Sequence, residues 1–250
     1  MIDNGDRPRP VLCAGEKTMH RLHLTKLQKF LPTAGGDEKQ RTALTGVAIT
    51  WTFGEYDMED FETLLERSTA IHGHICAGQV IGVRMSMIGL REIGIDDPKA
   101  QRKEFYVLVE IDRCATDAIQ SVTGCTLGKR SMKWLDYGIM AATFVNLKDG
   151  RAVRVTALEE ARETSKKYCP AIGDKYQQQL EAYRIMPEDE LFRVQRVRVD
   201  IPDSDLPGRP IKRVQCQACG DWIQDCRDVE DDGRTLCRPC AQGRYYELLP

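Results

Sequence analysis

The sequence predicts an α+β fold, with a mixed or antiparallel sheet and packed helices, followed by a small C-terminal zinc-ribbon domain. Three observations predict it. Strand-like and helix-like runs follow one another without a regular βαβ rhythm, which argues against a doubly wound parallel sheet. Asp149–Gly150 lies between two strand-like runs and supplies the positive φ that a tight hairpin turn needs. Two CxxC motifs follow a proline-rich stretch near the end of the chain.

Taken in order, residues 1–57 read as an N-terminal extension, broken by Pro8, Pro10, Pro32, Gly35 and Gly36, with a short apolar stretch LHLTKLQKFL long enough for about two helical turns. The core is expected over 58–201. From Met58 the apolar positions Phe61, Leu64, Leu65 and Ile71 fall on one helical face, with Glu59, Asp60, Glu62, Glu66 and Arg67 on the other. This helix should end at His72–Gly73. A second helix is expected from about Ile75 to Ile93, where Gly78 and Gly82, four apart, would let another backbone approach closely.

FYVLVEI (105–111) is unbroken, apolar and β-branched, as a buried strand should be. A short helix over 112–122 closes at Gly124, the hairpin follows, and helices are expected over 157–168 and 172–186. LFRVQRVRVDI (191–201) alternates apolar and basic residues like a strand with one wet face. PDSDLPGRP (202–210) has the composition of a stiff connector, and 211–250 forms the last unit.

Composition narrows the function classes. With 42% hydrophobic and 30% charged residues over 250 positions, the chain can bury a sizeable core plus a small satellite. A net charge of −2 gives no global attraction to nucleic acid or anionic lipid. No apolar run reaches the roughly 20 residues of a membrane span, and the first residues show no hydrophobic signal region, so a cytoplasmic location is expected. The ten cysteines are clustered, which suits metal or thiol chemistry in a reducing compartment better than disulfide staples.

Cys216-x-x-Cys219, seventeen residues, then Cys237-x-x-Cys240 is the strongest signal. A CxxC knuckle points two thiolates at one place, and two knuckles make the four-sulfur cage that zinc prefers. A unit of about 40 residues with so few apolar side chains would then depend on metal to fold. An Fe–S centre or a redox dithiol would use the same donors. Arginines and aromatics in this segment are offset by acids from Asp221 to Asp232, which argues against a nucleic-acid role and favours a protein contact.

HGHICAGQVIG (72–82) gathers two of the four histidines, a cysteine and three glycines. A cysteine at a helix start is favoured as thiolate by the unpaired N–H groups and the dipole there. His72 and His74 precede Cys76 on a turn made pliable by Gly73, a donor set suited to Zn, Ni, Cu or Fe rather than Mg or Ca. Cys114 and Cys125, just past a strand and just past a short helix, are at element ends where sites form. Asp117 is placed to orient an imidazole.

HGHICAGQVIGVRM (72–85), EIDRCATDAIQSVTGCTLGKR (110–130) and DYGIMAATFVN (136–146) resemble the FmdE family, named for a component of formylmethanofuran dehydrogenase, over about residues 58–200. The resemblance implies an α+β core that dimerises and carries a metal site, with His72, His74, Cys76, Cys114 and Cys125 as matched positions. It further implies a partner, a molybdenum or tungsten dehydrogenase of the formylmethanofuran or formate type. Some members carry a C-terminal zinc finger. The motif commonly reads HGHxCPG; Ala77 stands where proline is usual, which should loosen the helix start without abolishing it.

The expectation is therefore a metal-binding protein with zinc in the ribbon and a second transition metal, zinc among the candidates, in the core. His72, His74, Cys76, Cys114 and Cys125 are its core ligand candidates, and Cys76 and His74 are also candidate catalytic groups. The alternatives are an enzyme using Cys76 as nucleophile with a histidine base, and an adaptor or regulator that docks a partner through the ribbon.

Overall fold

A computed structural model describes residues 58–249. The N-terminal extension expected over 1–57, with its LHLTKLQKFL segment, lies outside the described residues. The chain divides into two compact units with the boundary between Ile211 and Lys212.

Helix α1 (Phe61–His72) starts where the Asp60 carboxylate accepts the N–H groups of Glu62 and Thr63, and ends at Gly73, whose φ of 93° turns the chain back. Cys76 is the N-cap of helix α2 (Ala77–Ile93), which closes at Gly94. Strand β1 (Phe105–Val109) leads to helix α3 (Cys114–Thr123), and strand β2 (Met132–Trp134) follows. Strands β3 (Ala141–Asn146) and β4 (Ala152–Ala157) form the hairpin, with Gly150 at φ 76° in its loop. Helices α4 (Ala161–Tyr168), α5 (Lys175–Ile185) and the short α6 (Glu188–Leu191) lead into strand β5 (Phe192–Arg196).

The five strands make one sheet in the order β2-β1-β3-β4-β5. Only β1 and β2 run parallel, Val107 opposite Met132 and Val109 opposite Trp134; the remaining pairs are antiparallel. The fold is thus α+β with a mixed sheet. Phe105, Val107 and Val109, Phe144, and Val153 and Val155 share a core with the buried residues of α2, at about 2 kcal/mol for each large side chain removed from water. Helix α2 touches that core closely, since a Cβ at Gly89 would lie 2.2 Å from the Phe144 ring.

The opposite face of the sheet carries Tyr106, Val145 and Ala152. Here the structure departs from the expectation for 191–201. Pairing ends at Arg196, and Val197, Val199 and Ile201 lie against this outer face as a strap. Their alternation comes from docking side chains onto a sheet, which has the same period of two as pairing into one. The strap continues into a 3-10 turn (Asp203–Asp205) held to the β2 side, where Lys133 pairs with Asp205 and the Arg130 guanidinium donates to the Ser204 carbonyl. The connector expected at 202–210 therefore begins as part of the core. The helix expected from 157 starts later, because β4 extends through Ala157.

The second unit has two small hairpins, β6 (Arg213–Gln215) with β7 (Trp222–Gln224) and β8 (Asp228–Asp231) with β9 (Arg234–Cys237), then a helical turn α7 (Arg238–Gln242). Its apolar centre is Cys216, Ile223 and Leu236, with the other three motif cysteines packed on it. So small a core fits a unit stabilised by a bound ion.

Candidate metal centres

The core cluster is assembled by three helix ends. His72 is the last residue of α1, Cys76 the N-cap of α2 and Cys114 the first residue of α3. One donor atom from each lies within 4.8 Å of the other two. Gly73 makes the first meeting possible: its left-handed conformation reverses the chain, so that Cys76 returns beside His72. Cys76 is extended, at φ −153° and ψ 165°, and its carbonyl accepts the N–H groups of Gln79 and Val80.

Glycines bring α3 to α2. A Cβ at Gly78 would stand 2.9 Å from the Cys114 Cβ and 3.6 Å from the Cys76 sulfur, and one at Gly82 would stand 2.4 Å from the Ala115 carbonyl oxygen. The close approach read from these two glycines is what sets the thiols of Cys76 and Cys114 side by side. Burial, and then the neighbouring Cys76, push the Cys114 thiol above the ordinary cysteine value. Two thiols so placed resist joint ionisation unless a cation joins them.

His72 has an asymmetric environment. Its Nδ1 meets the Asp117 carboxylate at 2.8 Å, whereas its Nε2 is buried with no hydrogen-bond partner. A carboxylate on Nδ1 fixes the tautomer that keeps the proton there and leaves the Nε2 lone pair for a Lewis acid. A buried nitrogen left unpaired is otherwise unfavourable.

Two expected members of the site stand apart. His74 is exposed, its ring stacked obliquely on that of His72 with centroids 4.6 Å apart, and it is outside the cluster of gathered donors. Gly73 sends it to the solvent side of the bend while His72 points inward. Cys125 is 1% exposed and sits in the apolar core, where burial raises its pKa. The left-handed turn at Gly124 directs it inward, away from Cys76 and Cys114.

Sequence reasoning missed Gln79. It is fully buried, its Nε2 donates to the Cys114 carbonyl at 2.6 Å, and its Oε1 accepts from the Ser68 hydroxyl. One amide therefore ties α1, α2 and α3 together at the cluster. The available signal was a glutamine three residues after an N-cap, the capping-box position; here the amide reaches across to another helix instead of back to its own cap. Also missed was a cleft of about 490 Å³, lined by His72 and Cys114 together with residues that include Ile111, Arg113, Leu127, Met132 and Trp134.

In the second unit, Cys216, Cys219, Cys237 and Cys240 bring their sulfurs within 4.8 Å of one another. The backbone N–H groups of Cys219 and then Cys237 hold the Cys216 thiol down at about 6. The N–H of Asp221 lowers Cys219, but burial and the adjoining thiols outweigh it and push that group up to about 12. One thiolate is stabilised and the next is penalised, as expected of four sulfurs packed to share a cation.

Comparison with known proteins places the first unit. Residues 71–193 match the family described as FmdE, molybdenum formylmethanofuran dehydrogenase operon. This chain carries an FmdE-family domain. The crystal structure of an FmdE-like protein of tungsten formylmethanofuran dehydrogenase from Syntrophus aciditrophicus shares the fold, with a TM-score of 0.51 at 22% identity over 76% of this chain and 96% of that one. A protein of Archaeoglobus fulgidus described as a probable S-adenosyl-L-methionine-binding protein is 33% identical over 207 residues, 74% of this chain and 54% of its own. The chain thus spans about half the length of that curated relative. The FmdE domain ends before the four-cysteine unit, so the two clusters belong to different parts of the chain.

Proposed function

We propose that the FmdE domain binds a transition metal through His72 Nε2, Cys76 and Cys114, that the four-cysteine unit holds a structural zinc, and that the protein serves a molybdenum or tungsten dehydrogenase of the formylmethanofuran or formate type as an accessory subunit. The observation that carries the core site is the unpartnered, buried Nε2 of His72 beside two thiols, with its other nitrogen fixed by Asp117. One imidazole and two thiolates suit Zn, Ni, Cu or Fe, and such a metal would supply Lewis-acid chemistry. Three protein donors leave a position for a further ligand, unlike the closed four-sulfur cage of the ribbon. The operon named in the family description supports the metalloenzyme partner. A cytoplasmic homodimer belongs to the same proposal. Among the described residues no helix is long and apolar enough to cross a membrane.

Elemental analysis of the purified full chain tests this. The wild type should carry two metal equivalents and Cys76→Ser one, whereas Cys216→Ser should lose the ribbon zinc alone. One equivalent, unchanged by Cys76→Ser or His72→Ala, would remove the core metal.

Cys76 as a covalent nucleophile, with His72 as base, is the second reading, favoured by their adjacency. Alkylation separates the two, since a metal-held thiolate gains reactivity when a chelator strips the metal and a free nucleophile does not. The Archaeoglobus relative's description adds S-adenosylmethionine as a ligand to test, by calorimetry with the full chain.

A further inference from the structure

The cleft beside the core cluster has two unlike ends. His72 and Cys114 form part of its lining, so the third side of the donor triangle opens onto it. Ile111, Leu127, Met132 and Trp134 line it elsewhere. Leu127 is 58% exposed and Trp134 43% exposed, large apolar surfaces left to solvent where a ligand could cover them. The volume suits a small molecule. The cleft also lies beyond the C-terminal ends of the parallel pair β1 and β2, where sheets of this kind place ligands.

Polar groups close to the cluster are already engaged. Thr116 donates its hydroxyl to the Ile111 carbonyl at 2.6 Å, and Asp117 is held by His72. A carboxylate reaching the metal would bring a second oxygen that needs a donor, whereas a sulfur asks for almost none. A centre with two thiolates and one imidazole on a divalent ion is formally neutral and soft, and it accepts sulfur readily as its remaining ligand.

We propose, resting on the metal reading above, that this cleft binds a small organic thiol with a flat apolar body, its sulfur on the core metal and its body against Trp134 and Leu127. On binding, the S–H bond breaks, the sulfur's electron pair forms the bond to the metal, and the proton passes to buffer. No redox change is involved. The exposed Asp112 and Arg113, also in the lining, leave room for a polar tail on the body.

The test uses the full chain loaded with cobalt(II), with Cys76→Ser as the background for cobalt in the ribbon. Benzyl mercaptan, 2-mercaptoethanol, phenylacetate and S-adenosylmethionine are titrated in turn. Each thiol should raise sulfur-to-cobalt charge-transfer absorption in wild type only, and calorimetry in two buffers should show one proton released per thiol. Benzyl mercaptan should bind about tenfold more tightly than 2-mercaptoethanol through its ring, and Trp134→Ala should erase that gap. Cobalt bound at a Cys76-dependent site whose spectrum answers to phenylacetate or S-adenosylmethionine but not to thiols overturns the inference alone. A gap that persists in Trp134→Ala overturns the placement of the body. Absence of any Cys76-dependent cobalt overturns the metal reading and this inference with it.

Discussion

Replacing Gln79 with leucine should unfasten the core cluster without touching a donor atom. The Gln79 side chain accepts from the Ser68 hydroxyl and donates to the Cys114 carbonyl, in a place with no water to substitute for it. Two hydrogen bonds lost at about 1 kcal/mol each, and a Ser68 hydroxyl orphaned at a further ~1–3 kcal/mol, are partly offset by roughly 1 kcal/mol of apolar gain from leucine. The net loss is about 3 kcal/mol. The Cys114 carbonyl is less affected, since as the first residue of α3 it also accepts within the helix. Urea unfolding of the metal-free chain followed by circular dichroism measures the stability. Chelator competition measures core-metal affinity, with the ribbon metal as internal reference. Ser68→Ala combined with Gln79→Leu removes the orphan and should recover about 1–2 kcal/mol. A Gln79→Leu chain within about 0.5 kcal/mol of wild type, holding core metal as tightly, would refute the role given to this amide.

Gly82→Ala, whose new methyl would meet the Ala115 carbonyl oxygen at 2.4 Å, should destabilise the fold by about 1–3 kcal/mol and weaken core-metal binding by spreading α2 from α3; chelator competition and urea unfolding read both effects. Asp117→Asn removes the negative charge behind His72 and should lower core-metal affinity about tenfold while leaving the ribbon unaffected. Because burial and Cys76 raise the Cys114 pKa, both core thiols carry protons at neutral pH and must release them to a metal. Affinity should therefore rise about a hundredfold per pH unit between about pH 6 and 7, a slope that direct metal titration with a competing chelator measures. In the metal-free chain the same raised pKa acts with the opposite sense on stability: the folded state keeps a proton that the unfolded thiol loses, so stability is full below the ordinary thiol value and declines as pH rises past it. Buried Cys125 adds to that decline.

Much of the frame was legible because its signals are local. Asp60 before an amphipathic run and Gly73 after it mark α1, Asp149–Gly150 marks the hairpin, and the CxxC spacing marks the four sulfurs that gather. The pairing of Gly78 with Gly82 foretold a close crossing because a missing Cβ leaves the same gap whatever packs into it. What escaped is what depends on distant partners. β2 is three residues long, too short for any periodicity, and joins the sheet only because β1 offers a parallel edge. Val197, Val199 and Ile201 alternate as strand residues do, yet they cap the sheet instead of extending it. Within HGHIC the two histidines looked equivalent. The left-handed turn at Gly73 separates them, sending His72 to the thiols and His74 to solvent, and no composition rule distinguishes those outcomes. Cys125 shows the same limit, since an element end is equally compatible with a buried thiol.

Anomalous diffraction from crystals of the full chain, recorded above and below the absorption edge of each metal found by elemental analysis, tests the central claim most directly. The account predicts a peak bonded to His72 Nε2 and to the sulfurs of Cys76 and Cys114, separate from the peak among Cys216, Cys219, Cys237 and Cys240. Crystals of protein never exposed to chelator that show the ribbon peak alone, with His72 Nε2 hydrogen-bonded to solvent or protein, would contradict it.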